Sequence, residues 1–140
     1  VAALSAATPR AGTEIAVAGY SYEDKLPAPV LTFGAFEEAR GLNGEAGIAR
    51  LSAPVLPGDA GGPVIDPTGA VVGMLLPAGG PDGKALPAGV AFALSADSLD
   101  AVLTAAGITP ALAPAGAGRA SPDALNKAAL GMTVLVSCWE

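Results

Sequence analysis

Residues 56–66 read LPGDAGGPVID, and the rest of the chain is best understood from this stretch. Glycine tolerates positive φ at no steric cost, so Gly58-Asp59-Ala60-Gly61-Gly62 reads as a tight turn. Such a turn can point successive backbone N–H groups into one concavity, a nest for an anion. It leads directly into Pro63-Val64-Ile65, an apolar segment with strand character. Two readings stand at this level: a glycine-rich hairpin turn with a purely structural role, or an amide nest that takes part in chemistry. A phosphate-cradling loop fits poorly, because no Gly-Lys-Ser/Thr follows and no helix begins there to add its dipole.

Short apolar segments flank the turn on both sides. Upstream, Thr13 to Gly19 alternates Ile15 and Val17 with smaller residues. Val30 to Phe36 carries Gly34, where a bulge or sharp bend is expected, and Ile48 to Leu51 is a shorter third strand. Downstream, Pro63 to Asp66 and Ala70 to Leu76 are joined by the turn residues Pro67-Thr68-Gly69, and Gly89 to Leu94 is the sixth segment. Turns and loops connect all of them with no helix in between, which is the pattern of an antiparallel barrel or sandwich. The period then changes. Ser95 caps a helix starting at Ala96, with Asp97 near its positive end and Leu99, Val102 and Leu103 on one face; Gly107 and Pro110 stop it. Thr109 to Ala120 is Pro/Ala/Gly-rich and aperiodic. Ser121-Pro122-Asp123 opens a second helix expected to run to Leu130 and end at Gly131, and Met132 to Trp139 reads as a buried strand.

The 140 residues suit one domain, and 51% apolar against 14% charged residues exclude disorder throughout. A net charge of −6 with no Lys/Arg cluster argues against a nucleic-acid partner. No apolar run approaches the roughly 18 residues of a membrane-spanning helix. The chain has no histidine, so by itself it lacks the imidazole of a Ser-His-Asp or Cys-His hydrolase. With one cysteine, Cys138, it offers neither a structural zinc site nor an internal disulfide, and neither metal nor cofactor is expected. Glu37-Glu38 reads as a solvated loop edge, Asp82-Gly83-Lys84 as a turn tip, and Cys138 and Trp139 as core or interface residues. The opening VAALSAATPR has no signal-peptide character and reads as a linker entering a strand, so a longer protein is expected.

GDAGGPV, residues 58–64, resembles the GDSGGP motif of trypsin-like (chymotrypsin-fold) serine proteases, with alanine at the place of the nucleophile. The flanks carry the resemblance further. Residues 49–75, ARLSAPVLPGDAGGPVIDPTGAVVGML, followed by residues 89–103, GVAFALSADSLDAVL, are similar in order to the HtrA-like bacterial type. AGTEIAVAGYSY resembles the strand that opens the second barrel of that fold. The likeness spans roughly residues 11–106. It implies an all-β fold, a six-stranded antiparallel Greek-key barrel forming the C-terminal half of the double barrel, with a C-terminal helix and a short helix–strand tail. The corresponding division is an inter-barrel linker over 1–10, the barrel over 11–94, the helix over 95–107, and a linker, short helix and final strand over 108–140.

The resemblance also implies a site. Ala60 stands at the nucleophile position, and the N–H groups of Gly58 and Ala60 would form the oxyanion hole. Asp59, Gly61, Gly62 and Pro63 would support the loop, while Pro57, Leu75, Leu76, Pro77 and Phe92 would contact substrate. The small apolar lining suits a small or medium apolar side chain next to the scissile bond. The implied partners are a first, N-terminal barrel carrying the histidine and aspartate, on the same precursor or a separate chain, and an extended peptide. The implied setting is the bacterial periplasm or outside the cell. A methyl group cannot attack a carbonyl, so as written the barrel is inert. Ala60 is either an engineered inactivation or the mark of a natural pseudoprotease that keeps its groove to bind peptides, and an apolar face is expected where the first barrel would pack.

Overall fold

Six short strands close into a barrel, with inward and outward residues alternating along Glu14–Gly19, Ile48–Ser52 and Val90–Ser95 and an irregularity where Pro63–Ile65 pairs with Val71–Leu75. The computed structural model describes residues 2–5, 8–20, 28–40, 47–56, 58–77, 89–113 and 118–136. The barrel strands are β2 (Glu14–Gly19), β3 (Val30–Glu38), β4 (Ile48–Ser52), β5 (Pro63–Ile65), β6 (Val71–Leu75) and β7 (Val90–Ser95), preceded by a two-residue β1 (Ala3–Leu4). Their order is β5-β2-β3-β4-β7-β6, every pairing is antiparallel, and β5 pairs with β6 to close the ring. Ile15 and Val17, Ala49 and Leu51, and Ala91 and Ala93 point inward two residues apart; with Phe36, Val64, Val72 and Leu75 they fill the interior. Small residues such as Ala49, Ala91 and Ala93 beside larger ones suit the narrow interior of so small a ring.

A second apolar core lies outside the ring. Ala16, Ile65 and Val71 are joined there by Leu4 and Leu125, with Leu31, Leu99, Leu103, Ala120 and Met132 packed around them. Thus β2 is buried on both faces from Ile15 to Gly19. Two helices cover this side, α1 (Ala96–Ala105) and α2 (Pro122–Met132), each begun by a serine, Ser95 and Ser121, whose hydroxyl accepts from the amide three residues on. A two-residue β8 (Ala111–Leu112) runs parallel to β1, which in turn runs parallel to β6, so the early and late parts of the chain meet on one edge.

Several expectations are corrected. Within residues 1–10, the pair Ala3–Leu4 adds to the sheet as β1, a strand the sequence reading had not placed. Gly34 is not bulged: it stays in register, and the irregularity falls between Phe36 and Glu38. Gly34 instead permits close approach, because a Cβ there would lie 2.2 Å from the Ser52 carbonyl oxygen. Glu37 and Glu38 belong to β3 rather than to a loop, and Glu38 pairs with Arg50 at 3.6 Å. Val102 is 59% exposed; Leu99 and Leu103, four apart, carry the packed face of α1. The tail differs most. Met132 packs on the second core, and Thr133 N still donates to Ala129 O, so α2 continues through Gly131. Val134–Val136 follow as exposed residues outside any strand, not as a buried one; Cys138 and Trp139 lie outside the described residues.

Because Leu125 is shared between the tail and the barrel's outer face, Leu125→Ala should lower stability by about 2–4 kcal/mol in one cooperative urea transition. A change below about 0.5 kcal/mol would mean that α2 adds nothing to the folded barrel.

Candidate functional site

The turn 58–62 is held by a buried carboxylate. Asp59 is 0% exposed, and its Oδ2 accepts from the Leu56 amide at 2.9 Å. Its neighbours Gly58 and Ala60 are exposed, so the chain alternates out, in, out across these three residues. The aspartate is seated against the end of β2, where a Cβ on Gly19 would lie 2.6 Å from Asp59 Oδ1. Gly62 is wedged in the same place: a Cβ there would stand 1.9 Å from the Ala18 carbonyl oxygen, a contact that only glycine permits. Gly58 and Gly61 adopt φ of 96° and 85°, the left-handed region.

The backbone donors of the turn divide into two sets. Asp59 N donates to Leu56 O at 3.1 Å, Gly61 N to Leu75 O at 2.7 Å, and Gly62 N to Asp59 O at 3.0 Å; Leu75 N returns a bond to Gly62 O at 2.9 Å. Among the described residues, the amides of Gly58 and Ala60 donate to no backbone carbonyl. Backbone donors on either side of a buried residue in a glycine turn are the kind of group from which an anion nest is built.

The other sequence candidates separate around this loop. Pro63 begins β5. Leu75 faces the barrel interior, and both of its backbone groups are engaged by Gly61 and Gly62, so it buttresses the turn rather than offering an edge to a peptide. Leu76 is half-buried, with its amide tied to Phe92 O at 2.8 Å, and Pro77 is exposed. The Phe92 side chain is buried on the strand face away from Ala91 and Ala93, opposite Arg50 across the β4–β7 pair. Pro57 lies outside the described residues. Among those described, no group of three Cys, Asp or Glu side chains is placed to hold a metal ion. A cavity of about 110 Å³ opens between Ser5, Thr8, Pro9, Phe36 and the start of α1, and no residue of the 58–62 turn lines it.

A family model described as a trypsin-like peptidase domain matches residues 1–74. The chain belongs to that family. An uncharacterized protein of Sinorhizobium fredii, y4bJ, is 36% identical over 138 residues, which is 92% of this chain and 21% of that protein; the chain therefore spans about a fifth of that relative's length. Among solved structures, a serine-to-alanine mutant of Rv3671c from M. tuberculosis in an inactive form superposes with a TM-score of 0.59 at 24% identity, covering 76% of this chain and 53% of that one. The active form of the Rv3671c protease gives 0.58 at 24% identity, over 80% and 50% of the two chains. A serine endoprotease from Yersinia pestis gives 0.58 at 20% identity, over 75% and 35%. At these identities the likeness is one of fold, and the fold is that of a trypsin-like serine protease barrel.

Two features escaped the sequence reading: Gly19 as the seat of Asp59, and the tail contacts. Gly19 ends an otherwise ordinary strand, and only its partner in space explains it. The tail is pinned by the Arg119–Glu14 ion pair and by Ala120 N donating to Pro67 O at 2.7 Å, neither of which a local pattern marks.

The loop geometry sets an order of sensitivity. Gly62→Ala should cost about 2–3 kcal/mol, since the clash is with backbone. Asp59→Ala, which strands the Leu56 amide, should cost about 1–3 kcal/mol. Asp59→Asn, which can still accept that bond, should be milder; urea midpoints that reverse this order would show that the carboxylate does not hold the turn.

Proposed function

We propose that this chain is the second, groove-bearing barrel of a trypsin-like serine endopeptidase, with peptide-bond hydrolysis silenced at Ala60. The observation that carries the reading is the pair of unengaged amides at Gly58 and Ala60, held apart from their engaged neighbours by the inward Asp59. In the complete reaction these amides would stabilise the oxyanion of the tetrahedral intermediate, while a serine hydroxyl at position 60 attacked the carbonyl and an imidazole removed its proton. This chain supplies the first function. It has alanine where the hydroxyl would be, and it contains no histidine. The histidine and aspartate would come from a first barrel, on the same precursor or a separate chain. That barrel would cover apolar surface near the turn, where Leu56 is 43% exposed. The relatives are bacterial, and a periplasmic or exported setting for the whole protein is part of this proposal.

A second reading is a pseudoprotease that holds extended peptides without cutting them, and one observation favours it. The amides of Gly58 and Ala60 stay unengaged although position 60 has no hydroxyl to use them for catalysis. In this reading the half-buried Leu76 and the exposed Pro77 lie beside a peptide bound as an added strand.

Ala60→Ser in the complete protein, with its first barrel, separates the two. An endopeptidase silenced at one atom should regain cleavage of an unfolded protein by at least about four orders of magnitude and become labelled by a fluorophosphonate. A variant that stays inert, although an imidazole lies within hydrogen-bonding reach of the new hydroxyl, would leave only the binding reading.

A further inference from the structure

Residues 133–136 alternate in exposure. Thr133 is 8% exposed, Val134 76%, Leu135 42% and Val136 85%, so the even-numbered side chains face outward and the odd-numbered ones lie closer to the body of the chain. That is the period of an extended strand. The backbone is already extended at Thr133, with φ −109° and ψ 130°. Thr133 Oγ1 is buried without a hydrogen-bond partner among the described residues, which is costly unless a neighbour supplies one. We infer that 133–136 is a strand donated to the sheet of the first barrel, with Val134 and Val136 turned into that barrel's interior. The inference rests on the reading of this chain as one barrel of two, and goes beyond it by making the tail a clasp between them.

Among the described residues, no sheet edge suits the segment. The barrel is closed by β5 on β6, and the sheet ends at β8. There Ala113 N donates to Leu4 O, so the backbone groups of Leu112 face the open side. The sequence sets prolines at 110 and 114, two residues to either side of Leu112, and proline has no N–H to offer an incoming strand. A second copy is disfavoured by charge. Residues 128–139 contain no charged side chain, so self-pairing would bring two bodies of charge −6 together with no ion pair at the contact to offset them.

The first barrel is within reach. Met132 and Leu4 pack on the same core, so the segment leaves the surface beside β1, where a first barrel on the same precursor would join. This chain covers 53% of the Rv3671c mutant and 50% of the active form, so relatives of this fold carry about as much chain again outside the match. Two inward β-branched side chains two residues apart are the arrangement that Ile15 and Val17 already make on β2.

The test is residue-resolved amide hydrogen exchange on the complete protein with its first barrel. The amides of 134–136 should exchange at least about 100-fold more slowly than an unstructured chain, at a concentration where sedimentation shows one copy of this chain per particle. Val134→Lys together with Val136→Lys alters only exposed side chains of this chain, so β2 to β7 should stay protected while the protection at 134–136 falls by about 100-fold. If both barrels are protected and 134–136 exchange freely, the clasp is overturned and the reading of this chain as one barrel of two stands. If no second protected β lobe is found, that reading is overturned and the clasp with it. Protection that rises with concentration as two copies associate would identify the partner as a second copy and overturn the assignment. Protection that survives both lysines would also overturn it, because the valines would then lie outside the receiving barrel.

Discussion

The hydrogen bond from the Leu56 amide to the Asp59 carboxylate organises everything around the turn. A carboxylate removed from water is strongly unfavourable unless its oxygens find donors, so the loop must fold back to supply one. That fold-back places Asp59 against β2 at Gly19, brings Gly62 under the Ala18 carbonyl, and delivers Pro63 to the start of β5 in register with β2 and β6. Barrel closure and loop shape are therefore one arrangement. The strand that seals the ring begins where the turn ends, and Leu75 on β6 contributes both its side chain to the interior and its backbone to the turn.

The tail acts on the opposite face through a different mechanism. Six strands of mostly three to six residues enclose a narrow interior, so much of the apolar surface on β2, β5 and β6 necessarily points outward. In a ring this small the outer face needs a cover, and α1, α2 and β1 provide it. Ala120 binds the Pro67 carbonyl in the β5–β6 turn, where Asp66 Oδ1 also accepts from Thr68 N, Thr68 Oγ1 and Ala70 N. The two ends of β5 are thus fixed by separate means, a buried carboxylate at one end and a docked tail at the other.

How much of this was legible in the sequence follows from the range of each interaction. Local signals gave correct results: both serine caps, all six barrel strands to within a residue or two, and the glycine turn, because alternation, capping and turn chemistry act over a few positions. The paired strands at 3–4 and 111–112 were not legible, since two residues carry no period and their partners lie about a hundred positions away. Met132 to Trp139 misled for a related reason. An apolar, β-branched run looks like a strand, but the second core held Met132 in the helix, and that core is visible only in three dimensions. At the site, residue types marked the glycine turn, whereas the division of amides into engaged and unengaged depends on Leu75 and Leu56, which no motif marks.

Position 60 itself is free of folding constraints, and this bears on how its alanine is understood. Because Asp59 points inward, its neighbours point outward, and Ala60 is exposed with no place in either core. A serine hydroxyl would fit there as readily as a methyl group, with water to satisfy it. Packing therefore gives no reason to prefer alanine, whereas it demands glycine at 62 and a short acceptor at 59. The structural requirements of the loop are met in full, and the one position left open by them is the one at which hydrolytic chemistry would begin. A loop that keeps two unengaged amides while that position carries a methyl group retains the turn of the fold without the hydroxyl that a serine there would bring.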